Sequence, residues 1–174
     1  MLIDPIHAPN IQRTDLNCKT FEQFRFQFLT PAMADGIFAI KSDRIKNHAA
    51  KAWAEVKPLA DVLPRPRHGP LTPFFGTPEC DTVLKMALDE YLQKPSTPEF
   101  RSHLRVSGHV AFPGVVATGQ TTTILVPLQI IGEVKIGSVR IDIDHYYNVL
   151  TLCDVEVSEG GKMVALVVSS IPAQ

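Results

Sequence analysis

A chain of 174 residues has room for one domain, or for a domain with a small lobe. A 45% hydrophobic share and a 20% charged share exclude a disordered polypeptide. A formal net charge of −1 excludes strong global steering toward nucleic acid or an anionic membrane, so any such attraction has to be local.

The chain opens on Met1-Leu2-Ile3-Asp4-Pro5, without the basic start and apolar core of a secretory signal. Cys18, Cys80 and Cys153 are far apart and odd in number, and no two have metal-ligand or redox spacing. Cys80 and Cys153 fall on apolar faces, as small buried hydrophobes do. These features fit a reducing compartment, and the cytoplasm is the expected location.

Residues 1–19 read as an irregular arm in which Pro5 and Pro9 bracket short apolar pieces. The remainder, 20–174, reads as one domain in three stretches: 20–76, 77–101 and a β-rich 102–174. Phe24, Phe26 and Phe28 alternate with Arg25 and Gln27, the pattern of a half-buried strand. Asp35-Gly36 is a turn signal, and Ile37–Ile40 can return as the partner strand. Ser42 or Asp43 can cap a helix over 43–60, with Ile45, Ala49, Ala52, Trp53, Val56 and Leu59 at helical spacing. Pro58 should close or kink it. Residues 63–76 carry many prolines and read as a stiff, extended connector with few backbone donors to offer a sheet.

The second helix, 78–93, has the clearest signals. Thr77 is a good N-cap, Pro78 suits the first helical position, and Glu79 complements the dipole. Cys80, Val83, Leu84, Ala87, Leu88 and Tyr91 keep to one face. After Pro98 the period becomes two. Leu104, Val106, Gly108, Val110 and Phe112 share one strand face, with His103, Arg105, Ser107 and His109 on the other. Pro113-Gly114 ends that strand. Thr121–Ile131 is strand-like, with Pro127 pointing to an edge or a bulge. Val134–Ile143, with an interruption at Gly137-Ser138, and Val149–Val157 read as further strands, followed by a hairpin loop at Ser158–Gly161. Met163–Val168 is apolar on both faces and should lie centrally in a sheet.

Two distributions stand out. From Val106 to Gly132 there is no formally charged residue. The glycines, prolines and threonines of this stretch oppose a membrane helix and favour β structure held against something, most of all between Gly114 and Val126. Residues 41–68 carry seven basic against three acidic residues, a balance of +4, whereas 141–174 carry one against five, a balance of −4. Such asymmetry marks either a partner surface or two parts of one fold that attract each other.

The candidate chemistry is sparse. Arg65-Pro66-Arg67-His68 is a compact basic patch near Phe74-Phe75, and Lys46 and Lys51 belong to the same basic half. Cations beside aromatic rings suit a single-stranded nucleic acid, through phosphate contacts and base stacking; an exposed loop and a phenylalanine core are the simpler alternatives. Asp142 and Asp144 lie two apart on an expected strand, about 7 Å from each other along one face, with Arg140 there too and His145 adjacent. Such a pair can contribute oxygen ligands to a divalent cation, but no third or fourth ligand can be placed beside it, and a solvated strand face competes. His103 and His109 share a face but sit roughly 20 Å apart, too far to hold one zinc ion, and read as isolated surface histidines. Nucleotide-binding and hydrolase motifs are missing from the sequence.

The expected fold is α+β, with two helices packed on a mainly antiparallel sheet or small barrel formed chiefly by the C-terminal half. The expected function is non-enzymatic binding, of single-stranded nucleic acid through Arg65, Arg67, His68, Lys46 and Lys51 and a β surface. The first alternative is an assembly or adaptor protein, forming a homo-oligomer or binding a protein partner through Val115, Val116, Thr121, Thr123 and Leu125. The second is a metal-dependent enzyme using Asp142 and Asp144. No catalytic residue, metal ligand or cofactor is assigned, and no membrane partner is expected.

Overall fold

The computed structural model describes residues 36–93, 104–118 and 122–170. The N-terminal arm, the Phe24–Phe28 strand, Cys18, His103 and Thr121 lie outside the described residues.

The sequence-predicted α+β class holds. Among the described residues, ten strands and two helices follow in the order β1 (Ile37–Lys41), α1 (Asp43–Val62), β2 (Leu71–Phe74), α2 (Pro78–Leu92), β3 (Leu104–Ala111), β4 (Gly114–Ala117), β5 (Thr123–Ile131), β6 (Val134–Ile136), β7 (Val139–Arg140), β8 (His145–Val149), β9 (Asp154–Val157) and β10 (Lys162–Ser170). A six-stranded sheet runs β1-β8-β5-β10-β3-β2, and a four-stranded sheet runs β4-β9-β6-β7. All strand pairs are antiparallel.

Strand alternation divides the interior into two cores. Val110, Ile124, Val126, Val164, Leu166 and Val168 face the helices and meet Ile45, Ala52, Val56, Val83 and Ala87. Their neighbours Ala111, Leu125, Met163 and Ala165 face the other way and meet Val134, Ile136, Val155 and Val157 of the smaller sheet. The large sheet is therefore a middle layer, with helices on one face and a second sheet on the other. β10 is fourth of six strands and buried on both faces, as its unbroken apolar run implies.

The helix ends follow their caps. The Ser42 side chain accepts from Ile45 N–H at 3.4 Å, and Thr77 accepts from Cys80 N–H at 3.4 Å. α1 runs through Pro58 to Val62, four residues beyond the proline, instead of ending near 60. The Leu63 N–H then closes the last turn on the Leu59 carbonyl at 3.2 Å. The His48–Glu79 pair ties α1 to α2. Cys80 is buried on the helix side, and Cys153 is half-buried against the second core. Among the described residues no helix is long and apolar enough to cross a membrane.

Several strand boundaries differ from expectation, for one shared reason. After β3 the chain alternates between the two sheets: β4 is in the small sheet, β5 in the large, β6 and β7 in the small, β8 in the large, β9 in the small and β10 in the large. The Pro113-Gly114 corner is followed at once by β4, so the expected loop carries a strand. The expected strand 149–157 is two strands, because residues 150–153 carry the chain from one sheet to the other. The Ser158–Gly161 loop likewise joins different sheets and is not a hairpin turn within one. At Gly132 (φ 75°) a Cβ would come within 3.0 Å of Gly161 Cα, so this corner requires glycine. Residues Gly137-Ser138 form the turn of a β6–β7 hairpin, and the chain leaves the sheet after Arg140.

Two prolines are accommodated at sheet boundaries. Within the proline-rich connector, Leu71–Phe74 pairs with β3 as an edge strand, where Pro73 needs no donor on its open side. Pro127 sits in an interior strand and not at an edge. The register against β10 shifts beside it, and the β8 ladder stops at Leu125. This is the bulge alternative. Gly108 lies under the Phe74 ring, where a Cβ would come within 2.5 Å of ring carbons, so glycine lets that ring lie across β3.

Candidate binding site

The two sheets do not close fully on each other. A partly open cavity of about 140 Å³ remains between the outer face of the large sheet and strands β4 and β9. Its floor includes His109 and Ala111 of β3, Leu125 of β5 and Ala165 of β10; Val116 and Ala117 of β4 and Val155 of β9 form its roof. Alanine stands at 111 and 165, two buried positions where a longer side chain would fill the space. Interiors are otherwise packed nearly as densely as organic crystals.

The polar group that distinguishes this cavity is His109. In the register, Ala165 lies beside it on β10 and Pro73 on β2. Its Nε2 is 2.8 Å from Ser107 Oγ, its neighbour two residues back on the same face. Its Nδ1 is buried and has no hydrogen-bond partner among the described residues. Burial, and secondarily the charge of Arg105, hold the imidazole below its ordinary pKa, so the ring is neutral at pH 7. The alternation of β3 placed His109 opposite the apolar face, which suggested solvent. That holds for Arg105, which is exposed, but not for His109, which is half-buried where the second sheet covers the end of that face. Ala111 and Ala165 at inward positions are the one signal in the sequence that this region is tight.

The residues expected at an interface divide. Thr123 and Leu125 are buried in interior strand β5 and line the cavity, as does the half-buried Val116. Val115 is across from Glu156 on the outer face of the small sheet and is 56% exposed.

The basic residues are spread out. Arg65 donates from Nη2 to the Pro113 carbonyl at 3.0 Å, fastening the connector to the β3–β4 corner. Arg67 and His68 are exposed nearby, and Lys51 is exposed on α1. Lys46 is 2.6 Å from Asp144, which raises the lysine pKa and lowers that of the carboxylate, chiefly through this hydrogen bond. From Lys46 to Val62 the helix rises roughly 24 Å at about 1.5 Å per residue, so the lysine end and the Arg65–His68 end do not form one patch. Phe74 is buried in the helix-side core, whereas Phe75 is 94% exposed.

Asp142 and Asp144 occupy the loop between β7 and β8, not a strand, so alternation no longer aligns them. Asp142 Oδ1 accepts from the Asp144 N–H at 2.8 Å and the His145 N–H at 3.1 Å, and lies 2.8 Å from His145 Nδ1. It holds the turn, while Asp144 holds Lys46. Among the described residues no group of three or more histidine, cysteine or acidic side chains could hold a metal ion. A polar cluster unseen in the sequence joins three elements: Glu90 of α2 accepts from Ser42 Oγ at 2.9 Å and from the Tyr146 hydroxyl at 3.0 Å.

No protein-family model matches the chain, and no curated protein matches its sequence.

Proposed function

We propose that this is a non-enzymatic binding protein whose ligand is a small, mainly apolar molecule held between the two sheets. The observation that carries the reading is the cavity of about 140 Å³, mostly apolar, partly open and floored by the small side chains of Ala111 and Ala165. Its volume is close to that of an engineered apolar cavity which accepts one benzene ring. A concave apolar site with a few polar groups is the usual form of a small-molecule site.

Filling the cavity tests this. Toluene should raise the thermal midpoint of the wild-type chain, because a ligand that binds only the folded state at a hundred times its Kd stabilises it by about 2.7 kcal/mol. Ala165→Leu and Ala111→Leu, both buried positions of the floor, should each abolish that response. A wild-type midpoint that does not move with saturating toluene would sink the reading.

A second reading, single-stranded nucleic-acid binding, is favoured by the exposure of Phe75 at the end of the strand that follows Arg67 and His68. It predicts oligonucleotide affinity that falls steeply with salt and is lost in an Arg67→Ala, Phe75→Ala double variant. Fluorescence anisotropy with a labelled oligothymidylate at two salt concentrations measures both. No binding at the lower salt would dispose of it.

A further inference from the structure

We propose that the ligand of the inter-sheet cavity is a small apolar carboxylate, with its ring between the sheets and its anionic head at the mouth against Arg105. This rests on the reading of the cavity as a binding site and names the class of molecule that the site would take.

The register of the floor places Arg105 beside the opening. Arg105, Ser107 and His109 share one face of β3, and across from them on β10 lie Ser169, Val167 and Ala165. Thr123 of β5 continues the row of Arg105 and Ser169. His109, Val167 and Thr123 all line the cavity, so its floor extends to the row in which Arg105 stands. Val167 and Arg105 are diagonal cross-strand neighbours, about 7–8 Å apart and within reach of a long side chain. The guanidinium is close enough for its charge to act on the His109 ring. Arg105 is itself exposed and outside the lining, so its charge belongs to the rim and not to the interior.

That charge is isolated. Among the described residues, Arg105 is the one charged side chain that β2, β3, β5 and β10 present on this face. Lys162 of β10 turns to the helix side, where it donates to the Ala60 carbonyl at 2.7 Å. No carboxylate among the described residues forms an ion pair with Arg105. The acids of the roof point away: Asp154 and Glu156 are exposed, and alternate along β9 with the buried, inward Val155 and Val157. An anion at the mouth therefore meets a cation and no facing acid, whereas an ammonium meets repulsion. The planar fork of arginine suits a carboxylate, which it can hold by two parallel hydrogen bonds. The head stays at the rim in contact with water and avoids the cost of an unpaired charge in the apolar interior. The interior itself has room for one six-membered ring. A ring with a carboxylate on a short spacer answers both halves of the site.

The test titrates toluene, hydrocinnamate and the uncharged amide of hydrocinnamate calorimetrically at low salt into wild-type protein and into Arg105→Gln and Arg105→Lys variants. The acid and its amide have nearly the same shape, so their affinity ratio reads the charge alone and is insensitive to changes in overall stability. The wild-type chain should prefer the acid by about fivefold, the upper range for an exposed ion pair. The preference should vanish in Arg105→Gln, survive in part in Arg105→Lys, and shrink for the wild-type chain as salt is raised. The same ratio in Arg105→Gln as in the wild type overturns the carboxylate inference while leaving the cavity a ligand site. So does tighter wild-type binding of the amide than of the acid, or binding of toluene alone. Failure of all three probes to bind the wild-type chain overturns the inference together with the reading beneath it.

Discussion

Stability should fall steeply once the pH passes about 10, the ordinary tyrosine range, and two adjacent tyrosines should carry most of the fall. Tyr146 and Tyr147 are 2% and 1% exposed and, as strand neighbours, point into different cores. Burial is the main cause that raises the Tyr146 pKa, and the Glu90 carboxylate that accepts its hydroxyl adds to it. Burial likewise pushes the Tyr147 phenol up to about 12, against the opposing hydrogen bond from the Asp142 N–H and with the Asp142 and Asp144 charges adding to the rise. Its oxygen accepts the Asp142 N–H at 2.9 Å. Both phenols therefore stay protonated in the fold at a pH where the unfolded chain has released its protons. Their contribution is complete below about pH 10 and is lost as the pH climbs toward the folded values. Two extra protons retained by the fold give a slope of at most about 2.7 kcal/mol per pH unit. A small domain holds about 5–15 kcal/mol in total, so a window of two pH units should suffice to unfold much of it. The Lys46–Asp144 pair fades over the same range but is exposed and adds little. Urea midpoints measured from pH 8 to 11 should drop for the wild-type chain and drop less for a Tyr146→Phe, Tyr147→Phe double variant. Parallel curves for the two proteins would mean that these phenols ionise as they do in water.

The local elements of this fold were legible because each has a short-range cause. Thr77-Pro78 announces the start of α2, and the unbroken apolar run of β10 announces a strand buried on both faces. What the sequence did not display is which sheet each strand joins. Period-two alternation gives the same signal for β3 as for β9, although one lies in the large sheet and the other in the small. Proline and glycine clusters at Pro113-Gly114 and Ser158–Gly161 look the same whether the chain reverses within a sheet or crosses to another. The same blind spot hid the cavity. His109, Arg105 and Ser107 read as a wet face so long as only one sheet was expected; a second sheet turns part of that face inward. The aspartate pair failed for a related reason: two carboxylates two residues apart align only if the backbone is extended, and Asp142 instead folds back onto the Asp144 and His145 amides. The uncharged stretch from Val106 to Gly132 now has its counterpart. It supplies β4 and β5, a roof and a floor of the cavity; the buried run Thr123–Leu128 lies between two layers and has no place for a charge, whereas Val106, Val115 and Ala117 are exposed and burial does not account for their part of the stretch.

If the large sheet is a shared middle layer, damage to its central strand should be felt by both cores. Leu166 is the residue that tests this most sharply. It is 1% exposed on β10 and faces the helices, next to Val126 in the β5 register and to Gly108 in the β3 register. Leu166→Ala removes apolar contacts and leaves a hole which strands paired on both sides cannot collapse to fill, so the expected loss is about 2–5 kcal/mol. The neighbouring Ala165 faces the cavity of the other core, where added volume has somewhere to go. Opposite responses at adjacent positions are therefore expected: truncation at 166 is severely destabilising, whereas enlargement at 165 is tolerated. Leu152→Ala, at a 58% exposed loop position, should change stability by no more than about 0.5 kcal/mol and serves as the reference. Urea denaturation of the three variants measures these differences directly. Near-equal losses at 166 and 152 would contradict the placement of β10 at the centre. Severe destabilisation by Ala165→Leu would contradict the open space between the sheets, and with it the ligand site that the space provides.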